Sequence, residues 1–307
     1  MARRFLSAPN PCTSVKFGEA SFELLSDFLI NINDENKDNL CGLTKCSGQF
    51  KDKKVMECIF LITEKLRLDP LVGYNAIEIL ERFMVKHLQD LFTTPTLQDA
   101  AAGRPSCYED LVFDKLKEKF PLIVFSSVQL ASKLSLHRYA IDNNTAVQFL
   151  HSMGLSVSKQ ILMESELMIL KGLEFRLNTL NPLTYVETLL EVLGHNESSV
   201  PVDQLQPLYY HILQFIFLQK TDIYESLLMA TTQCLNPSQQ QREKFLTVKE
   251  DYMLLAVGVI AIAIYIFDVS KWEQVVEELN HITGVSCRSI RDFTHVTLLH
   301  ITRTLPQ

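Results

Sequence analysis

The 307-residue sequence predicts an all-α protein, and three observations carry that expectation. Only ten glycines and eleven prolines are present, too few for a β-sandwich, which takes a turn signal every 8 to 12 residues or so. At least nine stretches repeat apolar residues at helical spacing, and none outside the loops keeps a period of two for long. A run of fifteen mostly apolar residues, Met253 to Phe267, is flanked by Asp251 and Asp268. That is short of the ~20 residues that cross a bilayer, so it reads as a buried core helix.

From Met1 to about Phe17 the Pro, Ser and Asn content shows no periodicity. This part reads as a loose arm with no signal-peptide core. A weak helix is expected from Glu19 to Ile32, with Phe22, Leu25, Phe28 and Leu29 on one side, followed by a polar stretch to Ser47. Between Lys53 and Leu68, the residues Val55, Ile59, Ile62 and Leu66 mark one helical face. Asp69-Pro70 then pairs an N-cap with a proline at the first helical position, where its missing N–H costs nothing. The helix it opens turns Ile77, Leu80, Met84, Leu88 and Leu91 inward, and a loop from Thr93 to Glu109 ends it. Phe120 to Leu136 is apolar on nearly every side, as a helix surrounded by others must be. A short helix starts at Asn143-Asn144 and closes at Gly154; Ser156 or Ser158 caps a longer one reaching about Leu173.

A second series starts at Asn181-Pro182. Helices are expected at Pro182–Leu193, Pro201–Leu218 and Ile223–Cys234, then a polar loop from Asn236 to Glu243. A buried helix from Val248 to Phe267 follows, then Lys271 to Ile282 and, after Gly284, a last helix to about Arg303. With Ile223–Cys234 set aside, the two series share a helix pattern with a period of about 130 residues, which suggests an internal duplication.

Composition narrows the function. Twenty-nine Lys and Arg against thirty-six Asp and Glu leave a charge of -7, the opposite of the excess that neutralises phosphates, so direct nucleic-acid binding is disfavoured. The seven cysteines are odd in number and form no C-x-x-C pair, as free thiols in a reducing compartment would be. No phosphate-cradling glycine loop, H-E-x-x-H or G-x-S-x-G string occurs, and the eight histidines form no i, i+4 pair. The expectation is a protein that is not an enzyme and holds no metal or cofactor.

Two charged residues stand out. Glu166 has Leu162, Met163, Ile169, Leu170 and Leu173 as helical neighbours, and Lys133 lies between Leu130 and Leu136 at the end of the apolar helix. A carboxylate on an apolar face needs a partner or loses several kcal/mol in desolvation. Either the two form an internal ion pair, or they surface together on an apolar patch and bind a partner's backbone.

The series Ile79-Leu80-Glu81-Arg82-Phe83, then Leu122 eleven residues before Leu130-Ala131-Ser132-Lys133, then Glu166 before Lys171-Gly172-Leu173-Glu174-Phe175, resembles a cyclin box. The resemblance implies a cyclin fold of two five-helix cyclin-box repeats, with an extra helix and loop in the second. Its expected division is an N-terminal arm over 1–47, a first box over 48–177 and a second cyclin-like repeat over 178–307. In cyclins the matching lysine and glutamate face the kinase's mobile helix, which gives Lys133 and Glu166 that role by position. Leu122 matches a leucine of the central helix, and Glu81 stands where cyclins have an aspartate.

Some positions depart from the cyclin pattern. The first-helix arginine has no counterpart in Lys51-Asp52-Lys53-Lys54, and Leu134-Ser135 replaces an acidic pair. Longer strings, Ala76 to Lys86, Pro182 to Gly194 and Val248 to Gly258, are similar to a meiotic branch of the cyclins. That likeness implies a nuclear protein on meiotic chromosomes, with the cytoplasm as a second location, that promotes crossover maturation. Its partners would be proteins at recombination sites and no membrane. The alternative is a regulatory subunit that activates a cyclin-dependent kinase. Tyr224 and Leu227, in the additional helix, are further candidate contacts, with plain packing as the other reading.

Overall fold

Helix starts follow local chemistry. A Ser, Asp or Asn side chain accepts from the first free amides at Ser21, Asp52, Asp142, Ser158, Asn181, Ser238 and Asp251, each replacing a partner the helix cannot supply itself. The structure is a computed structural model that describes residues 17–18, 20–44, 46–93, 107–135, 140–177 and 180–304. The arm before residue 17, most of the Thr93–Glu109 loop and the expected helix end at Leu136 lie outside the described residues. The described residues form thirteen α-helices, two short 3-10 turns and no strand, the all-helical result that composition predicts. The chain divides into two compact units, Cys46–Thr179 and a second made of Met1–Lys45 with Leu180–Gln307.

The first unit holds α2 (Lys53–Lys65), α3 (Pro70–Thr93), α4 (Cys107–Leu134), α5 (Asn143–Ser152) and α6 (Lys159–Gly172). The central element is α4, which packs against α2, α3 and α6. Its buried stretch mixes Ile123, Val124, Phe125, Val128 and Leu130 with Ser126, Ser127, Gln129 and Ser132. Buried polar groups need partners, and most find them nearby. Ser126 donates to Ser165 at 2.8 Å, Gln129 to Asn143 at 2.8 Å, and Ser132 accepts from the Ile141 amide at 3.1 Å.

The second unit holds α1 (Phe22–Cys41), α7 (Pro182–Asn196), α8 (Gln206–Leu218), α9 (Lys220–Thr232), α10 (Gln239–Lys249), α11 (Tyr252–Phe267), α12 (Trp272–Thr283) and α13 (Cys287–Thr304). The first thirteen residues of α11, Tyr252 to Ile264, are all buried. Around it pack α7, α8, α12 and α13, with α9 against α13. Apolar character on every side makes this possible, because α11 must meet protein in all directions. No single helix among the described residues is long and apolar enough to cross a membrane.

Besides α4, which starts at Cys107 where a loop to Glu109 and a helix from Phe120 were expected, three elements differ from expectation. The weak first helix is twenty residues long and lies on α7 and α11. Its polar second half is held by tertiary bonds: buried Asn36 donates to Asp251 at 2.9 Å and accepts from the Tyr252 amide at 3.1 Å, and Tyr185 donates to the Ile32 carbonyl at 3.0 Å. The expected Asn236–Glu243 loop is largely the helix α10, begun by a reciprocal capping box between Ser238 and Gln241. The expected Val248–Phe267 helix is broken, since α10 ends at Lys249 and α11 restarts from the Asp251 cap at a 71° bend.

Candidate functional site

Lys133 sits in the last turn of α4 and Glu166 in the middle of α6. The Ser158 cap sets the register of α6 so that Leu162, Ser165 and Ile169 point into the unit. Glu166, one position past Ser165, is left at the edge of that buried face. On the other side, Ser126 lies seven residues before Lys133, about two turns of helix. The Ser126–Ser165 hydrogen bond therefore pins the two helices at the height that lets Lys133 reach Glu166, and Nζ stands 2.6 Å from Oε1.

The two side chains are unequally covered, Lys133 at 39% exposed and Glu166 at 9%. The ion pair is not sealed in the core: the lysine side chain is partly open to water while the glutamate is nearly covered. Three exposed apolar side chains adjoin it: Leu134 beside the lysine, Met163 one turn before the glutamate and Leu167 beside it. An ammonium with donors directed outward over an apolar surface can bind a partner's backbone carbonyls, and such a charge-assisted bond is stronger than a neutral one.

The other sequence-predicted positions fall elsewhere. Leu122 is half-buried on α4, eleven residues and about 16 Å before Lys133 along the axis. It shares the lysine's stripe without adjoining it. Glu81 is buried in α3 and accepts from the amides of Gly48 and Phe50, the latter at 3.0 Å. It fastens the turn that leads into α2 and presents no surface. Tyr224 and Leu227 are buried, with the Tyr224 ring edge-on to Phe293 at 5.8 Å. Their place is in the packing of α9 on α13, so direct partner contact passes from these two residues.

Two buried ion pairs were not foreseen. Lys51 is buried and lies 3.2 Å from Glu78. The pair ties the turn before α2 to α3. In the second unit Lys220 meets Glu250 at 2.9 Å, both nearly sealed. Glu78, among Ala76, Ile77, Ile79 and Leu80, carries a signal in the sequence, but Glu250 at the end of α10 carries none, and both pairings are non-local.

No family model matches the chain. Two known proteins do. Cyclin N-terminal domain-containing protein 1 of Mus musculus is 40% identical over 289 residues, which cover 94% of this chain and 86% of the relative. The Homo sapiens protein of the same name is 41% identical over 285 residues, covering 93% and 86%. Identity of this order along nearly the whole length, on an all-helical architecture consistent with a cyclin-like fold, means that the chain belongs to the cyclin N-terminal domain-containing protein 1 family.

Proposed function

We propose that this chain is a non-enzymatic, cyclin-like adaptor that promotes crossover maturation in meiotic recombination by binding other proteins. It works in the nucleus, on meiotic chromosomes, through protein partners at recombination sites. The observation that carries the binding role is the half-open Lys133–Glu166 pair among exposed Leu134, Met163 and Leu167. In this reading the five helices α2 to α6 are the first cyclin box, and the chain from residue 178 is a second cyclin-like repeat enlarged by α9 and α10. The charge of -7 supports protein partners over bare DNA.

The same lysine and glutamate favour a second reading, in which the chain activates a cyclin-dependent kinase by holding its mobile helix. Copurification of the tagged protein from meiotic cells, followed by a kinase assay, separates the two. Recombination proteins without kinase activity are expected. Kinase activity that is lost with Lys133→Ala would replace the adaptor by the regulatory subunit. Glu166→Ala leaves a lysine that is more than a third exposed and should cost under about 1 kcal/mol of stability, whereas Lys133→Ala leaves a nearly buried carboxylate without its cation and should cost about 1 to 3 kcal/mol. A partner contact made through the Lys133 ammonium should weaken by about 1.5 to 3 kcal/mol. Full recovery of every partner by the folded Lys133→Ala and Glu166→Ala variants would remove the pair from the site.

A further inference from the structure

The end of α11 breaks the rule its own length obeys. After thirteen buried residues, the run Tyr265, Ile266 and Phe267 is exposed, and so is Val269 just beyond the helix. Val269 is the most open of these at 61%. Four large apolar side chains exposed within five consecutive residues are a local concentration, whereas scattered single exposures need no explanation. Trp272, the only tryptophan of the chain, backs the run with its ring edge-on to Tyr265 at 5.5 Å. Its indole N–H is shut off from water and has no acceptor among the described residues.

Charge around this corner is unbalanced. Asp268 lies within the run, and Glu273, Glu277 and Glu278 follow on α12. Glu273 is matched by Arg291 and Glu278 accepts from the Asn196 side chain at 2.6 Å, which leaves Asp268 and Glu277 against Lys271. Lys271 donates to the Ser199 carbonyl and Arg291 to Glu273 at 2.7 Å. Hydrogen bonds from the hydroxyl and amide of Ser270 hold the Asp268 carboxyl below its usual range, so it remains an anion near neutrality.

We infer that the Tyr265–Val269 corner, backed by Trp272, is a second docking surface whose occupant is a basic amphipathic helix of a partner protein. Three points select that occupant. An apolar centre with carboxylates beside it complements apolar anchors flanked by Lys or Arg. No strand edge exists among the described residues to pair an extended peptide, so a partner must satisfy its own backbone, as a helix does. A second copy of this chain would bring like carboxylates together in a molecule already at -7, which costs affinity. This surface does not involve Lys133 or Glu166 and stands whether or not the adaptor reading does.

The test uses the full-length protein and a tryptophan-free peptide of Leu and Lys, about five helical turns long, with Leu at helical spacing. Trp272 fluorescence reports its binding. Saturable binding with a Kd of about micromolar order is expected. It should weaken about tenfold or more in the Ile266→Glu/Val269→Glu variant, and by a similar factor when the peptide's Lys are replaced by Glu. Lys133→Ala should leave it unchanged. Circular dichroism checks that the double variant folds; if it does not, Val269→Ser alone, at the most exposed position, should still weaken binding about threefold. No saturable binding, or equal affinity in the folded variant or for the acidic peptide, would overturn the inference. So would a dimer that the double variant dissociates, which points to self-association, or retention on phosphatidylcholine vesicles that requires Ile266, which points to lipid.

Discussion

The two central helices, α4 and α11, solve the same problem in opposite ways. Each has a long unbroken buried stretch, yet α4 buries Ser126, Ser127, Gln129 and Ser132, whereas between Tyr252 and Ile264 α11 buries nothing more polar than a tyrosine. In α4 the neighbours are located by hydrogen bonds, which have direction and a narrow range of lengths. In α11 they are located by shape, most sharply where Gly258 lies against Phe293. Hydrogen-bonded contacts set register; apolar contacts supply most of the stabilisation. It is consistent with this division that the helix carrying Lys133 is the one with the polar interior. A site that needs a lysine placed 2.6 Å from a carboxylate on another helix needs register more than it needs bulk.

The contrast can be broken most severely by placing an uncompensated polar group in α11. Ile260 is fully buried, so Ile260→Asn should cost about 3 to 5 kcal/mol, combining lost burial with an unpaired amide. Urea unfolding followed by fluorescence reads this directly, because the single tryptophan, Trp272, reports on the second unit. A loss under about 1.5 kcal/mol would mean that α11 can satisfy polar groups as α4 does.

A smaller effect is expected from crowding the glycine contacts. A Cβ on residue 258 would stand 2.6 Å from the Cε1 of Phe293, and one on residue 172 would stand 2.7 Å from the Cε2 of Phe83. Both phenylalanines are fully buried and cannot step aside. Gly258→Ala should cost about 2 to 3 kcal/mol and Gly172→Ala about 1 to 2 kcal/mol, as overpacking does. Unchanged melting of both would show that the rings yield, and that packing does not locate α13.

Smaller again is the coupling between Ser126 and Ser165. In a double-mutant cycle with alanine at either or both positions, about 1 kcal/mol of coupling is expected, with the double variant closer to wild type than the singles suggest. Strict additivity would remove the hydrogen bond from the account of how Lys133 meets Glu166.

The least effect concerns acid. Hydrogen bonds from the Thr145 side chain and the amides of Thr145 and Asn144 hold the exposed Asp142 carboxyl, the cap of α5, below its usual range. A carboxylate whose folded pKa is depressed contributes stability that is present above its unfolded pKa, about 3.9, and lost as pH falls through the folded value. Stability of the first unit should therefore decline less steeply between about pH 4 and pH 2 in Asp142→Asn than in the wild type. Parallel acid limbs, followed by circular dichroism, would count against the cap.

What could be seen in advance follows the range of each interaction. Asp69-Pro70 and Asn181-Pro182 announce α3 and α7 because a cap is a local bond, and Glu166 was visible because its helical neighbours are apolar. The second half of α1 was hidden, since Asn36 is buried through contact with Asp251 and Tyr252, more than two hundred residues away in sequence. For the same reason the pairing of Lys51 with Glu78, on another element, left no mark in the sequence. Helix α10 was overlooked on other grounds: none of its residues is buried, so no apolar stripe marks it, and only the Ser238 and Gln241 capping box signals its start. Tyr224 and Leu227 show the limit of pattern, because one apolar face serves a core and a contact surface alike.

The seating of α1 on α7 and α11 bears on how the chain is made. Synthesis delivers α1 first, but α7 begins about 140 residues after α1 ends, and α11 is later still. At roughly 5 to 20 residues per second, α1 waits between about seven and thirty seconds for its first packing partner. During that interval Leu25 and Ile32, buried in the finished protein, have no core to enter. A ribosome-bound nascent chain of this protein therefore carries an exposed amphipathic helix that a chaperone can hold, and α1 is seated only after α7 and α11 have been made.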